Sequence, residues 1–308
     1  MSSFAAFIIT FRRNEALRDT IEKLLQQTSP PQKILIIDND LHKGAMEIVR
    51  SFSRPDFSYH PMGYNAGPAG AAAAGLKILS DQGFDYIAWI DDDDPPFFHD
   101  TIEILLKLIQ SNNSIGCVGS VGQYFNMSGA LMRRVPDKEL EMEGLLSVDN
   151  IAGNMTKIIR AAAVRDKGIL PDESMFFGFE ELEFDLKLKK AGYSIACDRQ
   201  LYKRHRLLHK RQGLHVRHGD KKDARGLARE YYSTRNMLYI LKKNNSYRGM
   251  LIFSVRTAFK ILRGFRFGWR YGTENLKILT TGMFDFVAGN SGMRNFLSEK
   301  DILIQEKD

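Results

Sequence analysis

Short apolar runs alternate with helically spaced ones through the first hundred residues. Phe4 to Thr10 is a continuous apolar run of strand length, Glu15 to Gln27 places Ala16, Leu17, Ile21, Leu24 and Leu25 at helical intervals, and Lys33 to Ile37 is again continuous. This is a strand-helix-strand unit, and its second strand ends in Asp38-Asn39-Asp40. A helix over 44–52 follows. A Gly/Ala-rich stretch from Gly63 to Gly75 then leads into a helix to about Ser80, and the apolar strand Tyr86 to Ile90 is closed by four aspartates. Strands alternating with helices predict a mostly parallel α/β sheet covered on both faces, with ligands at the carboxyl ends of its strands. Those ends carry Thr10-Phe11-Arg12-Arg13, Asp38-Asn39-Asp40 and Asp91 to Asp94, so the topology predicts that three polar clusters share one edge.

The pattern between Ser114 and Arg165 is broken into short strands, with a short helix starting at Ala161 to Val164. Leu170-Pro171-Asp172 reads as a turn, Glu180 to Ala191 as a helix ended by Gly192, and Ser194 to Cys197 as a strand. Beyond Asp223 the pattern is helical almost throughout, most clearly over Leu227 to Lys243 and Tyr247 to Arg263. No internal repeat is visible.

Composition narrows the class. The 308 residues are 44% hydrophobic and 26% charged, the balance of an ordinary globular chain able to bury a full core. Apolar runs fall well short of the roughly 18 residues a membrane span requires. The stretch after Met1 has no basic leader and reads as a first strand rather than a signal peptide, which leads us to expect a cytoplasmic protein. Two cysteines, Cys117 and Cys197, are too few for a disulfide framework and are expected to be reduced core residues. Charge is unevenly distributed: from Arg199 to Arg270 there are twenty Lys and Arg against three Asp and Glu, a local balance of +17 in a chain of net charge +7. That half calls for an anionic partner, whether nucleic acid, an anionic membrane surface or a phosphorylated substrate.

Several clusters could carry chemistry. At strand spacing Asp91 and Asp93 project to one side, and two like charges so close need a cation near neutral pH; hard oxygen ligands suit Mg²⁺ or Mn²⁺. A solvated acidic turn before Pro95-Pro96 is the simpler alternative, with the next helix beginning near His99. Asn65-Ala66-Gly67-Pro68-Ala69-Gly70 resembles a dinucleotide fingerprint only superficially, because it does not follow the first strand; it reads as a small-residue helix packed on the sheet. Glu180, Glu181, Glu183 and Asp185 stand at a helix start, directly after Phe176-Phe177-Gly178-Phe179, where a carboxylate beside an apolar surface can have its basicity tuned. His205, His209, His215 and His218 fall within fourteen residues of a basic stretch.

Taken in order, these features resemble the family 2 glycosyltransferases of the GT-A fold, over most of the chain. Thr10-Phe11-Arg12-Arg13 with Leu17 resembles the family's opening motif, with Arg12 where asparagine is usual. Ile36-Ile37-Asp38-Asn39, Asn65-Ala66-Gly67 and Ile90-Asp91-Asp92-Asp93 resemble its nucleotide-binding aspartate, its Asn-x-Gly loop and its metal-binding motif. Phe177 to Phe184 resembles its aromatic-acidic signature, with Glu181 and Glu183 replacing aspartates. Arg229-Glu230-Tyr231-Tyr232 to Arg235-Asn236 and Gly282-Met283-Phe284-Asp285 resemble C-terminal helical motifs of galactofuranosyl and rhamnosyl transferases.

The resemblance implies a Rossmann-like, mostly parallel sheet over 1–225, with a nucleotide-sugar half to about 113 and an acceptor half from about 114, followed by a helical basic region over 226–308. It implies an inverting hexosyltransferase in cell-surface polysaccharide or lipopolysaccharide synthesis, using a UDP or dTDP sugar and a glycan or lipid-linked acceptor. Glu181, with Glu180 as fallback, would be the base; Asp91, Asp93 and His205, with His209 as fallback, would hold Mn²⁺ or Mg²⁺. Thr10, Phe11, Arg13, Asp38, Asn65, Gly67 and Asp92 would line the donor site, with Asp92 on the ribose or sugar, and Phe177 and Phe179 would stack on the acceptor.

Within Met250 to Arg270, the cations Arg256, Lys260, Arg263 and Arg270 alternate with Leu251, Phe259, Leu262, Phe265, Phe267 and Trp269. That is the pattern of an interfacial helix on the inner face of the cell membrane, or of a helix docked on its own domain or on a second copy in a homo-oligomer. A sugar nucleotidyltransferase is the first competing reading, but no Gly-rich loop with a lysine follows the first strand. A non-enzymatic nucleic-acid binder is the second, and no recognisable nucleic-acid module supports it, so no specific nucleic-acid partner is expected.

Overall fold

The computed structural model describes residues 2–152, 156–211, 213 and 221–294. The chain divides into two compact units: the first holds residues 1–124, 133–173 and 180–214, the second 125–132, 174–179 and the chain from 215 onward. His215 and His218 lie outside the described residues.

The first unit opens as the hydrophobic pattern predicts. Strand β1 (Phe4–Thr10), helix α1 (Asn14–Leu25) and strand β2 (Ile34–Asp38) form the first unit of the sheet, followed by α2 (Ala45–Ser51), β3 (Phe57–Pro61), α3 (Gly67–Asp81) and β4 (Tyr86–Asp91). Every residue of β1 and β2 is buried, as befits strands covered on both faces. Next come α4 (Thr101–Gln110), β5 (Ile115–Gly119), β6 (Gly122–Asn126) and β7 (Leu131–Arg134), of which residues 125–132 fall in the second unit, then β8 (Leu145–Val148), β9 (Asn150–Ile151), β10 (Lys157–Arg160) and α5 (Ala161–Arg165). Helix α6 (Glu180–Lys190), strand β11 (Ser194–Asp198) and helix α7 (Arg199–Leu208) complete the unit.

The main sheet has eight strands in the order β3-β2-β1-β4-β10-β5-β11-β8. Its first four strands are mutually parallel, while β10 runs antiparallel to both β4 and β5. Register sets the working edge: Thr10 lies opposite Asp38, and Ile9 opposite Asp91, so three strands end at one level. The Gly/Ala-rich helix α3 lies on the sheet, as its composition predicts. A Cβ on Gly75 would come within 2.5 Å of the Phe7 ring, so only glycine lets helix and strand approach this closely. One apolar cluster, with Phe7, Trp89, Ile159 and Phe184, fills one side of the sheet; another, with Ile8, Ile36, Leu105 and Ile158, fills the other.

The second unit is built on α8 (Ala224–Lys243), α9 (Tyr247–Gly264) and α10 (Trp269–Ala288). Its terminal motifs have clear structural work. Asp285 accepts hydrogen bonds from the Tyr231 hydroxyl at 2.6 Å and Asn290 at 2.9 Å and pairs with Arg294, while a Cβ on Gly282 would lie 2.9 Å from the Tyr231 carbonyl. Buried Asn236 donates to the carbonyls of Met175, Phe177 and Gly178, and Arg235 donates to those of Met175 and Gly292. These bonds clamp a turn in which Phe176, Gly178 and Phe179 all have positive φ (60°, 82° and 68°), a strained backbone that its surroundings must hold in place.

The structure departs from the pattern-based reading at two elements. Residues 57–61 form an edge strand that was not expected, because all five are only half-buried and carry no apolar run. The basic stretch around His205, for which the pattern gave no element, is helix α7, capped where the Asp198 carboxylate accepts from the Leu201 amide at 2.8 Å.

Candidate active site

The ends of β1, β2 and β4 bring the three polar clusters together. The Thr10 hydroxyl donates to Asp92 at 2.7 Å, and the Arg13 guanidinium ion-pairs with both Asp92 and Asp93. Arg12, in a left-handed backbone at φ 57°, bonds Asp40 at 3.1 Å and stacks its guanidinium over Phe11. Asp38 is buried; its carboxylate accepts from the Asp40 amide, the Ala45 amide and the Tyr59 hydroxyl at 2.8, 3.3 and 2.7 Å. Asp38 therefore builds the shape of the edge. Asn39 does the same for the loop before α3, accepting from the Ala66 amide and donating to the Gly67 carbonyl. Asn65 closes that loop on the Gly67 amide, and Gly67 takes φ 68°.

The four aspartates have different surroundings. Asp92, expected to face the donor's ribose or sugar, is fully buried: its oxygens meet Thr10, the Phe11 amide and Arg13, so it points into the protein. Burial and the neighbouring charges of Glu181, Asp92, Asp93 and Asp94 push Asp91 up to about 8. Burial, then Asp93, pushes Asp94 up to about 7; burial also raises Asp92, to about 6, against the pull of Arg13. The edge thus holds more negative charge than Arg13 neutralises, and its oxygens are hard donors, which fits a divalent cation.

Glu181 lies within electrostatic reach of this edge, and its partly accessible side chain contrasts with the buried Glu180. Burial raises Glu181, and the charge of Lys157 holds it down. Lys157, which the sequence pattern did not single out, is the cation that the structure couples to these acids. It is buried in the middle of the sheet opposite Trp89, 3.4 Å from Asp185, with its ammonium 4.9 Å from the Trp89 ring centroid and 5.7 Å from that of Phe184. Asp185 is also held by the Ile151 amide at 2.8 Å. Although burial pulls the Lys157 ammonium down, Asp185, Cys117 and Glu181 hold it above its ordinary value. The available signal was a lone lysine heading the apolar run Ile158-Ile159 and an acid one helical turn beyond Glu181.

The structure places His205 in an aromatic cluster. Its ring centroid lies 5.1 Å from that of Phe98 and 6.2 Å from that of Phe97, with exposed His209 stacked 6.3 Å away. Burial and the nearby His209 and Arg204 pull His205 down to about 4, so it is neutral, and both ring nitrogens lack a hydrogen-bond partner among the described residues. Among the described residues no three His, Cys, Asp or Glu side chains are gathered to share a metal ion. Phe177 belongs to the second unit, with Tyr232 at its edge and the Arg229 guanidinium over its face; Phe179 is half-buried at the end of the strained turn.

Comparison with known proteins agrees with this fold. The sheet and its helices have the GT-A architecture: the chain superposes on S. aureus TarS 1-349 in complex with UDP-GlcNAc with TM-score 0.56, at 14% identity, over 94% of this chain and 81% of that one. A mannosyltransferase from Pyrobaculum calidifontis, in complex with GDP-Man and Mn²⁺, matches with TM-score 0.52 at 11% identity, over 98% and 78% of the two chains. The sequence profile of glycosyl transferase family 2 matches residues 5–170, more than half of the chain, and the protein belongs to that family. It is 23% identical over 198 residues to a galactofuranosyltransferase, GlfT1, of Mycolicibacterium smegmatis, a match covering 61% of this chain and 65% of the relative. It is 31% identical over 96 residues to an uncharacterized glycosyltransferase of Rickettsia bellii, covering 31% of this chain and 13% of the relative. No helix among the described residues is long and apolar enough to cross a membrane.

Proposed function

We propose that the protein is an inverting, divalent-metal-dependent hexosyltransferase that moves a sugar from a nucleoside diphosphate to a hydroxyl of a glycan or lipid-linked acceptor in cell-surface polysaccharide synthesis. The observation that carries this reading is the cluster of four carboxylates at the end of β4, with Arg13 paired to two of them and a partly accessible glutamate within electrostatic reach. Family membership supports the class of reaction, and the galactofuranosyl relative makes galactofuranose the first sugar to try. The Mn²⁺ and nucleotide sugars of the structural neighbours suit the same chemistry.

In this mechanism Glu181 takes the proton of the acceptor hydroxyl as its oxygen bonds to the anomeric carbon. The bond from that carbon to the diphosphate oxygen breaks on the opposite face, so the configuration inverts and the nucleoside diphosphate leaves with the electron pair. Asp91 and Asp93 would hold a divalent ion, which would supply positive charge to the departing diphosphate. Arg13 adds a fixed cation beside the aspartates, and the charge of Lys157 opposes the rise that burial imposes on Glu181. Thr10, Asp38, Asn39, Asn65 and Gly67 shape the donor pocket rather than react.

Calorimetric titration of UDP, dTDP and GDP, each with and without Mn²⁺, tests the reading. One nucleotide should bind in a metal-dependent way to the parent and not to Asp93→Ala. Glu181→Gln should keep that binding and lose transfer by about 10²- to 10⁴-fold, the usual worth of a general base. Absence of nucleotide binding under every condition would sink the proposal.

A further inference from the structure

The helical second unit contains a cavity of about 490 Å³ that the transfer chemistry does not use. Lys222, Arg256, Lys260 and Arg263 line it together with Phe259 and Tyr271, and a single carboxylate, Glu230, faces these four cations. Glu230 is largely buried and ion-paired to both Lys222 and Lys260, which leaves the cavity strongly positive. Arg256 reaches the Gly129 carbonyl at 2.6 Å, whereas Arg263 has no hydrogen-bond or ion-pair partner among the described residues. Cations held this close repel one another unless an anion with several acceptor oxygens joins them, and a phosphate group supplies such oxygens.

The same helix, α9, carries an uncovered apolar ridge. Leu251, Val255, Phe259 and Leu262 recur at three- and four-residue steps, and their exposures are 66, 46, 63 and 66%. Trp269, at the start of α10, is 78% exposed and lines an adjoining cleft with Lys221 and Arg270. Phe259 belongs to both the ridge and the cavity wall. A phosphate-sized positive cavity bordered by an exposed aliphatic and aromatic ridge matches an amphiphile whose anionic headgroup and apolar chain are covalently joined.

We propose that this cavity binds the phosphate headgroup of an anionic lipid, with Leu251, Leu262 and Trp269 entering the surrounding acyl layer. The site stands whether or not the first unit transfers sugar. Trp269 supplies the readout, because the other tryptophan, Trp89, is buried in the sheet. Vesicles of phosphatidylcholine, with and without phosphatidic acid, are compared with inorganic pyrophosphate and a single-stranded oligonucleotide at physiological salt. A blue shift of Trp269 and co-flotation only with phosphatidic acid are expected. Lys260→Gln/Arg263→Gln should weaken that binding at least about tenfold more than the charge-matched Arg248→Gln/Arg266→Gln, whose cations are exposed and outside the cavity wall; a generic charge effect of about 1 kcal/mol per cation would make the two pairs equal. Arg263→Gln alone keeps the test decisive if Lys260→Gln lowers stability, since Arg263 has no partner to lose. Equal losses in the two pairs, binding of pyrophosphate without vesicle binding, or tighter binding of the oligonucleotide would each overturn the proposal.

Discussion

Carboxylates withdrawn fully or partly from water are handled in opposite ways by the two units. In the helical unit Asp285 is nearly inaccessible, yet hydrogen bonds from Asn290 and Tyr231 and the charge of Arg294 outweigh its burial and hold it below the usual range. At the sheet edge the balance is reversed: burial and mutual repulsion push Asp91 up to about 8 and Asp94 up to about 7, with Arg13 the neighbouring cation. A compensated buried charge fastens helices together. An uncompensated one stores an attraction for a cation, and such imbalance marks a site better than the number of acids does.

The contrast can be broken most severely at Lys157, the compensated charge inside the acidic unit. Lys157→Met leaves Asp185 buried without its cation and should cost about 3–5 kcal/mol in urea unfolding, whereas Lys157→Met/Asp185→Leu should recover much of that loss. If transfer by Lys157→Arg has a pH profile displaced from the parent's, the lysine also tunes Glu181; an unmoved profile would leave it a purely structural role. Asp285→Asn tests the compensated side. Losing the charge-assisted bonds from Arg294 and Tyr231 should cost about 1.5–3 kcal/mol, read from the same unfolding experiment.

The smallest effect sharpens the comparison through pH. Asp91 and Asp94 have folded values raised above the unfolded one, so the folded state holds their protons more tightly. Their contribution is full below about pH 4 and lost as pH rises towards 7 and 8. The unfolding midpoint should therefore fall between pH 5.5 and 8 by less in Asp91→Asn than in the parent. Added Mn²⁺ should restore the parent's midpoint at pH 8, because a ligand of the native state alone stabilises it. A midpoint indifferent to Mn²⁺ would argue against a cation at this edge.

Much of the fold was legible because periodicity and strand ends are local signals. The runs over Phe4–Thr10 and Ile34–Asp38, the helix of small residues and the four aspartates together announce a parallel sheet with an acidic edge. The edge strand over Phe57–Pro61 was hidden because its residues are half-buried and need no apolar alternation. Helix α7 was hidden because four of its ten residues are lysine or arginine, and its start depends on a cap at Asp198.

Sequence by itself determined most of the elements of the first hundred residues, the edge where polar clusters meet, the family motifs and the split between an acidic front and a basic tail. Only tertiary structure decided that Asp92 turns inward while Asp91 remains partly accessible, that His205 sits among phenylalanines, and that Lys157 neutralises Asp185 beside Glu181. The reason is that burial and charge balance belong to groups far apart in the chain. Lys157 and Asp185 are separated by twenty-eight residues, and nothing local to either reveals that an antiparallel strand inserted beside β4 makes them partners.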